Sequence, residues 1–203
     1  MNHALIIFIK NPELGKVKTR LAKSIGNQKA LEVYEILQEK TREVSLGVNA
    51  QRFLFYSEEV NLKDDWLDTN FVKRLQDNGG LGERMEAAFK TAFENGAQKA
   101  IIIGSDCYDI TSELIELAYQ KLDDSDTVIG PANDGGYYLI GMKKNQPDLF
   151  QDMTWSTETV FQNTIDKITK LNRTFEALPT LIDIDTEEDL LASTFNMKVL
   201  SLT

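Results

Sequence analysis

Near its start the chain carries Ala4-Leu-Ile-Ile-Phe-Ile9, six apolar residues in a row with no alternation. A run of that length, rich in branched side chains, predicts a strand buried on both faces, as parallel sheets require. A polar loop with Asn11-Pro12 and Gly15 follows. Then Ala30, Tyr34, Leu37, Thr41 and Val44 step by four and three, which predicts one face of a helix ending near Gly47. Gln51–Tyr56 reads as a second strand, 57–68 as an acidic segment without period, and 71–75 as a short third strand. Gly79-Gly80-Leu81-Gly82 breaks into a second helix, where Leu81, Met85, Ala88 and Ala92 share a face. Lys99–Ile103 is the clearest inner strand after the first and stops at Gly104-Ser105-Asp106. Thr111 is the expected N-cap of a third helix. Residues 127–130 and 137–141 predict strands around the turn Asp134-Gly135-Gly136, and Ser156 is expected to open another helix. Residues 181–184 are short and extended, and Thr186-Glu-Glu-Asp189 has the form of a capped helix start.

Strands alternating with helices of this size predict an α/β fold with a mostly parallel sheet and helices on both faces. With 203 residues, 42% of them apolar, and no repeat or linker, one domain spanning 1–203 is expected. The formal charge of −10 repels a phosphate polymer, whose binding rests on clustered Lys and Arg, so neither nucleic acid nor an anionic membrane is an expected partner. Cys107 is the single cysteine and forms no internal disulfide. The first apolar run is too short for a secretory segment, and no stretch reaches the roughly 20 apolar residues of a membrane span. The expectation is a soluble, cytoplasmic protein.

Against this acidic background the first loop stands out. Lys10, Lys16, Lys18, Arg20 and Lys23 face a single acid, Glu13. In open α/β sheets ligands sit beyond the carboxyl ends of strands, so this loop is a candidate phosphate site. Gly15 would allow close backbone approach, and the cations would meet phosphate oxygens. A nucleoside-triphosphatase P-loop is excluded, because Lys10 and Val17 stand where that motif needs Gly and Ser or Thr. The alternative is a solvated face at a helix start, where cations oppose the helix dipole.

Asp106, directly after an inner strand, is a candidate ligand for Mg²⁺ or Mn²⁺, which take oxygen donors from one or two carboxylates plus substrate phosphates. The alternative for Asp106 and for Asp109 is a helix N-cap, which suits Asp109 better. Asp134 in Asn133-Asp134-Gly135-Gly136 is also explained by a hairpin turn. Asp183 and Asp185 alternate with Ile182 and Ile184, so both would face one side of an extended segment, toward a metal or along a polar strand edge. His3 is read as structural, and neither a zinc cluster nor a Ser–His or Cys–His nucleophile has enough members.

Six motifs in order resemble a known family: Phe8-Ile-Lys-Asn-Pro-Glu-Leu-Gly-Lys-Val-Lys-Thr-Arg-Leu21, Gly82-Glu-Arg-Met85, Gly104-Ser-Asp-Cys107, Gly130-Pro-Ala-Asn-Asp-Gly-Gly-Tyr-Tyr-Leu139, Trp155-Ser-Thr-Glu-Thr-Val160 and Asp183-Ile-Asp-Thr-Glu-Glu-Asp-Leu190. They look like the glycosyltransferase-like family associated with radical-SAM proteins and, in some members, with arsenosugar biosynthesis. That family is similar to the 2-phospho-lactate guanylyltransferases and to molybdenum-cofactor nucleotidyltransferases. The resemblance implies a three-layer Rossmann-like sandwich around a mixed, mostly parallel sheet, the nucleotide-diphospho-sugar transferase fold. By residue it implies Lys16, Lys18 and Arg20 at the nucleotide phosphates, and Asp106 with Asp185 at the metal; Lys10, Gly15 and Arg84 complete the expected nucleotide and phosphate contacts. Asp134 is the candidate general base on an acceptor hydroxyl. Tyr108 stands where the family often has Pro, and Asp106 and Asp109 do not form the Asp-any-Asp triplet of standard glycosyltransferases. The expected partners are a nucleotide or nucleotide sugar and a small acceptor. The expected activity is glycosyl transfer, with nucleotidyl transfer or non-catalytic nucleotide binding as alternatives.

Overall fold

β1 (His3–Ile9) is an inner strand of a seven-stranded sheet because both of its faces are apolar. The computed structural model describes residues 2–195. After β1 come α1 (Thr19–Ile25), α2 (Asn27–Gly47), β2 (Gln51–Tyr56), β3 (Val72–Leu75), α3 (Leu81–Glu94), β4 (Lys99–Ile103), α4 (Ser112–Asp124) and β5 (Thr127–Pro131). β6 (Tyr137–Met142), a 3₁₀ turn at Pro147–Leu149, α5 (Val160–Lys170), β7 (Phe175–Ala177) and α6 (Glu187–Ala192) complete it. The strand order is β3-β2-β1-β4-β6-β5-β7, and β6 alone runs antiparallel to its neighbours.

Side chains alternate across the sheet. Leu5, Ile7, Ile101 and Ile103 pack with Val44 of α2 and with Ile115, Ala118 and Tyr119 of α4. Ala4, Ile6, Ala100 and Ile102 pack on the other face with Met85, Ala88 and Phe89 of α3 and Ile168 of α5. A smaller cluster of Leu21, Leu37, Tyr108, Ile184 and Phe195 joins α1 and α2 to the segments after β4 and before α6. No helix among the described residues is long and apolar enough to cross a membrane.

The reversal at β6 decides what meets at the ligand edge. β1, β2, β3, β4 and β5 all point their carboxyl ends one way, whereas β6 begins there, with Leu139 opposite Ile103. The loop 132–136 between β5 and β6 therefore arrives at the same edge as the loops after β1 and β4.

Several expectations move by a few residues. Thr111 caps α4, its hydroxyl accepting the Leu114 N–H at 3.2 Å. Asp109 does not cap that helix; it accepts the Thr194 hydroxyl instead. The helix expected at Ser156 starts at Val160, because Ser156 has φ 60, outside the right-handed helical region. Residues 181–184 are extended but join the sheet only through isolated bridges, Ala132 to Leu181 and Cys107 to Asp183. His3 stacks on Tyr119 with ring centroids 4.4 Å apart.

Candidate active site

The loop after β1 delivers its cations to two different places. Gly15 takes φ +78, a left-handed conformation that costs glycine little, and Lys16 N–H closes the turn on the Glu13 carbonyl at 3.0 Å. At this tip Lys16 is exposed, with its ammonium 2.7 Å from Glu13 and 3.4 Å from Glu58. Two residues on, Lys18 adopts φ 47, ψ 42 at the N-cap of α1, and its side chain is only 3% exposed. Its Nζ lies 2.6 Å from Asp106 Oδ1 and 3.2 Å from Asp185 Oδ1. Arg20 Nη1 is 3.7 Å from the other Asp185 oxygen. Burial alone would lower the Lys18 pKa; the carboxylates of Asp106 and Asp185 outweigh it and hold the ammonium above its ordinary value.

Asp106 emerges from β4 beside Ser105, which is buried and hydrogen-bonded to Tyr34 Oη at 3.2 Å. Its backbone carbonyl accepts the Ile184 N–H at 3.0 Å, so the 183–185 segment is sewn onto the end of β4. Ile184 is fully buried, which turns its neighbours Asp183 and Asp185 to the cleft. A capping box then fixes the turn into α6: the Thr186 hydroxyl accepts the Asp189 N–H, and Asp189 accepts the N–H groups of Asp185 and Thr186. Asp183 is pushed up to about 8, first by burial and then by the charges of Asp106 and Asp134, with Lys18 opposing. Asp134 is exposed, with one oxygen accepting the Gly136 N–H at 2.9 Å in the turn between β5 and β6. Gly135 is needed there, since a Cβ would stand 2.1 Å from the Glu158 carbonyl and φ is +86.

These groups border one cleft of about 450 Å³ along the carboxyl edge. A side arm of about 210 Å³ is lined by Lys10, Lys18, Arg20, Asp106 and Asp185. Arg84 borders the main cleft with Gln76, while Asp134, Tyr137 and Trp155 border it on the β6 side. Trp155 reaches the cleft because Gly82, in the first turn of α3, has no side chain. A Cβ there would come within 2.8 Å of the indole and of the Phe150 carbonyl. Of the site residues expected from sequence, the fold brings Lys10, Lys18, Arg20, Arg84, Asp106, Asp134, Asp183 and Asp185 to the cleft. Gly15 and Lys16 do not line it. Gln76 carried no sequence signal; Ser105, Tyr137 and Trp155 sat in motifs but had no assigned role.

Among the described residues no three or more His, Cys, Asp or Glu side chains form a ready-made metal cage. Asp106 and Asp185 nevertheless converge on one positive group, the Lys18 ammonium. Two hard carboxylates completed by phosphate oxygens suit Mg²⁺ or Mn²⁺, so the donor set fits such an ion.

Residues 41–157 match a family described as uncharacterized protein conserved in bacteria (DUF2064). The chain belongs to that family. No curated protein matches it. Among solved structures, a protein of Desulfovibrio desulfuricans G20 provisionally assigned as a nucleotide-diphospho-sugar transferase is similar at 33% identity and TM-score 0.88, over 96% of this chain and 87% of that one. The 4-diphosphocytidyl-2C-methyl-D-erythritol synthase of Anaerococcus prevotii DSM 20548 gives TM-score 0.60 at 12% identity, over 97% and 96%. A manganese complex of Rv0371c from Mycobacterium tuberculosis H37Rv gives 0.53 at 10%, over 95% and 97%. The last two likenesses are of fold. This DUF2064 chain thus has the mixed, helix-flanked sheet of nucleotide-diphospho-sugar transferase structures, and its close structural neighbours are transferases.

Proposed function

We propose that the chain is a cytoplasmic, single-domain, metal-dependent transferase that moves a sugar from a nucleoside-diphosphate donor to a small acceptor. One observation carries this reading: a nearly buried Lys18 ammonium joins Asp106 and Asp185 where the cationic arm opens into the cleft. Carboxylates able to hold a cation and cations able to hold phosphate thereby share a few ångströms. A divalent ion on Asp106 and Asp185 would offset the charge that grows on the departing diphosphate. Lys18 and the more exposed Arg20 hold that charge from the loop side, with Lys10 at the rim, and burial at the start of α1 keeps Lys18 in place before the donor arrives. The nearly buried Lys18 side chain is fixed, so little is lost in ordering it.

Asp134 serves as general base. One oxygen is occupied by the Gly136 N–H, and the other takes no hydrogen bond among the described residues. The acceptor hydroxyl gives its proton to Asp134 as its oxygen bonds to the anomeric carbon, and the anomeric C–O bond to the nucleoside diphosphate breaks.

A second reading rests on the origin of the two carboxylates. They come from separate segments, after β4 and before α6, and not from one Asp-any-Asp triplet. That favours nucleotidyl transfer, in which an acceptor phosphate attacks the α-phosphorus of a nucleoside triphosphate and pyrophosphate departs. Thermal-shift titration with Mg²⁺ or Mn²⁺ against nucleotide sugars and nucleoside triphosphates separates the two. Sugar transfer predicts stabilisation by at least one nucleotide sugar; a response to triphosphates alone sinks it. Unchanged metal-dependent ligand binding in Asp106→Asn would sink both.

A further inference from the structure

The part of the cleft beneath α3 carries a fixed donor with no acceptor of its own. The Gln76 side chain, buried just beyond β3, donates from Nε2 to the backbone carbonyls of Ile9 at 3.3 Å and Phe55 at 3.2 Å. Those carbonyls belong to the last residue of β1 and the last but one of β2, so the amide cannot flip without losing both bonds. Its Oε1 is thereby aimed at α3, where it accepts Arg84 Nη1 at 3.0 Å. This contact tethers one end of the guanidinium. Arg84 Nε is buried and has no partner among the described residues. The remaining amino group, Nη2, makes no hydrogen bond among the described residues and is not enclosed, which leaves it for a ligand acceptor.

Arginine has only donors and keeps its charge, so whatever docks against it must present acceptors. A phosphate is one such group, but Lys10, Lys18 and Arg20 already line the side arm, and Arg84 does not border that arm. The cleft that Arg84 borders is also lined by Phe8, Leu81 and Met85, flat or apolar surfaces suited to a ring. The loops after β2 and β3 belong to the parallel half of the sheet, the half that holds a mononucleotide in open α/β folds. We infer that Arg84, held by Gln76, reads the base of the nucleotide and selects bases that set two acceptors side by side.

Guanine does so at O6 and N7, and cytosine at O2 and N3. Adenine pairs its N7 acceptor with an N6–H donor, which would face an arginine N–H. Uracil separates its carbonyls with an N–H. The preferred donors are therefore guanosine or cytidine nucleotides, and adenosine and uridine nucleotides are disfavoured. This inference rests on the nucleotide reading of the cleft.

The test is calorimetric titration of the full chain with GDP, CDP, ADP and UDP in Mg²⁺. For the wild type, the tighter of GDP and CDP is expected to bind at least ~10-fold more tightly than ADP, the scale of one bidentate base contact. Arg84→Gln replaces two donors by a donor and an acceptor, the pair that matches adenine N6 and N7. ADP is then expected to gain while GDP and CDP weaken, bringing the preference below about 2-fold or reversing it. Arg84→Lys keeps the charge and is expected to lose the preference while retaining most of the overall affinity. Circular dichroism verifies that both variants fold; the wild-type ranking alone stands as a test if one does not. Equal binding of all four nucleotides overturns the inference and leaves the proposed function intact. Equal fractional loss of all four in Arg84→Gln does the same, by making Arg84 a phosphate contact. Binding of none overturns both.

Discussion

The tip of the first loop and its end are two residues apart and behave as different materials. Lys16 at the tip is 55% exposed and paired with two surface glutamates, Glu13 and Glu58. Lys18 at the end is 3% exposed and paired with two aspartates from distant parts of the chain. Exposed pairs lose most of their Coulomb energy to water and to side-chain entropy. A buried ammonium holds its partners at higher effective strength, and taking it away leaves carboxylates facing one another. Local charge in a sequence therefore says that a loop is basic; burial and the partners a cation finds say how firmly it is held at the cleft.

Substitutions graded along this contrast test it. Asp106→Asn takes away the carboxylate on which the inner end converges, and transfer activity is expected to fall ~10³-fold, the several kcal/mol that metal stabilisation supplies. Single-turnover assays at saturating Mn²⁺ measure it. Lys18→Met is next, with a loss of ~10²-fold in kcat/KM, the size of one preorganised electrostatic contact. Its melting temperature is also expected to drop, by an amount moderated because Asp106 and Asp185 are 44% and 41% exposed. If Lys18→Met kept wild-type turnover, the inner end would be structural. Arg20→Gln keeps a polar side chain but not the charge 3.7 Å from Asp185. A change of ~5-fold in donor KM is expected, about 1 kcal/mol for a solvated charge. Lys16→Met should leave activity within about 2-fold and stability within ~0.5 kcal/mol, as for surface positions generally. A large effect at Lys16 in nucleotide titration would erase the distinction between the two ends.

Much of the architecture was legible because it comes from periodicity. Gln51–Tyr56 and Lys99–Ile103 are apolar enough to announce themselves at their full lengths, and Thr111 and Thr186 cap the helices they were expected to cap. β7 escaped notice because its three residues are partly or fully exposed and carry no alternation. α1 was hidden inside a cationic loop whose first helical residues give little apolar pattern. The site was legible as residue types: Asp106, Asp134, Asp183 and Asp185 do meet at one edge. What could not be read was the partition of the cations, since Lys16 and Lys18 are identical letters and a left-handed backbone at Lys18 separates their fates. Gln76 was equally silent, because its importance comes from two carbonyls, of Ile9 and Phe55, that have no sequence signature.

Gly82 gives the molecule a lever. The first turn of α3 is bare on the side where Trp155 rests, and two residues later the same helix carries Arg84, which Gln76 holds at the same cleft. Interiors packed at this closeness transmit displacement instead of absorbing it. A side chain at position 82 would push the indole and the Phe150 carbonyl aside and so move the wall that Trp155 gives the cleft.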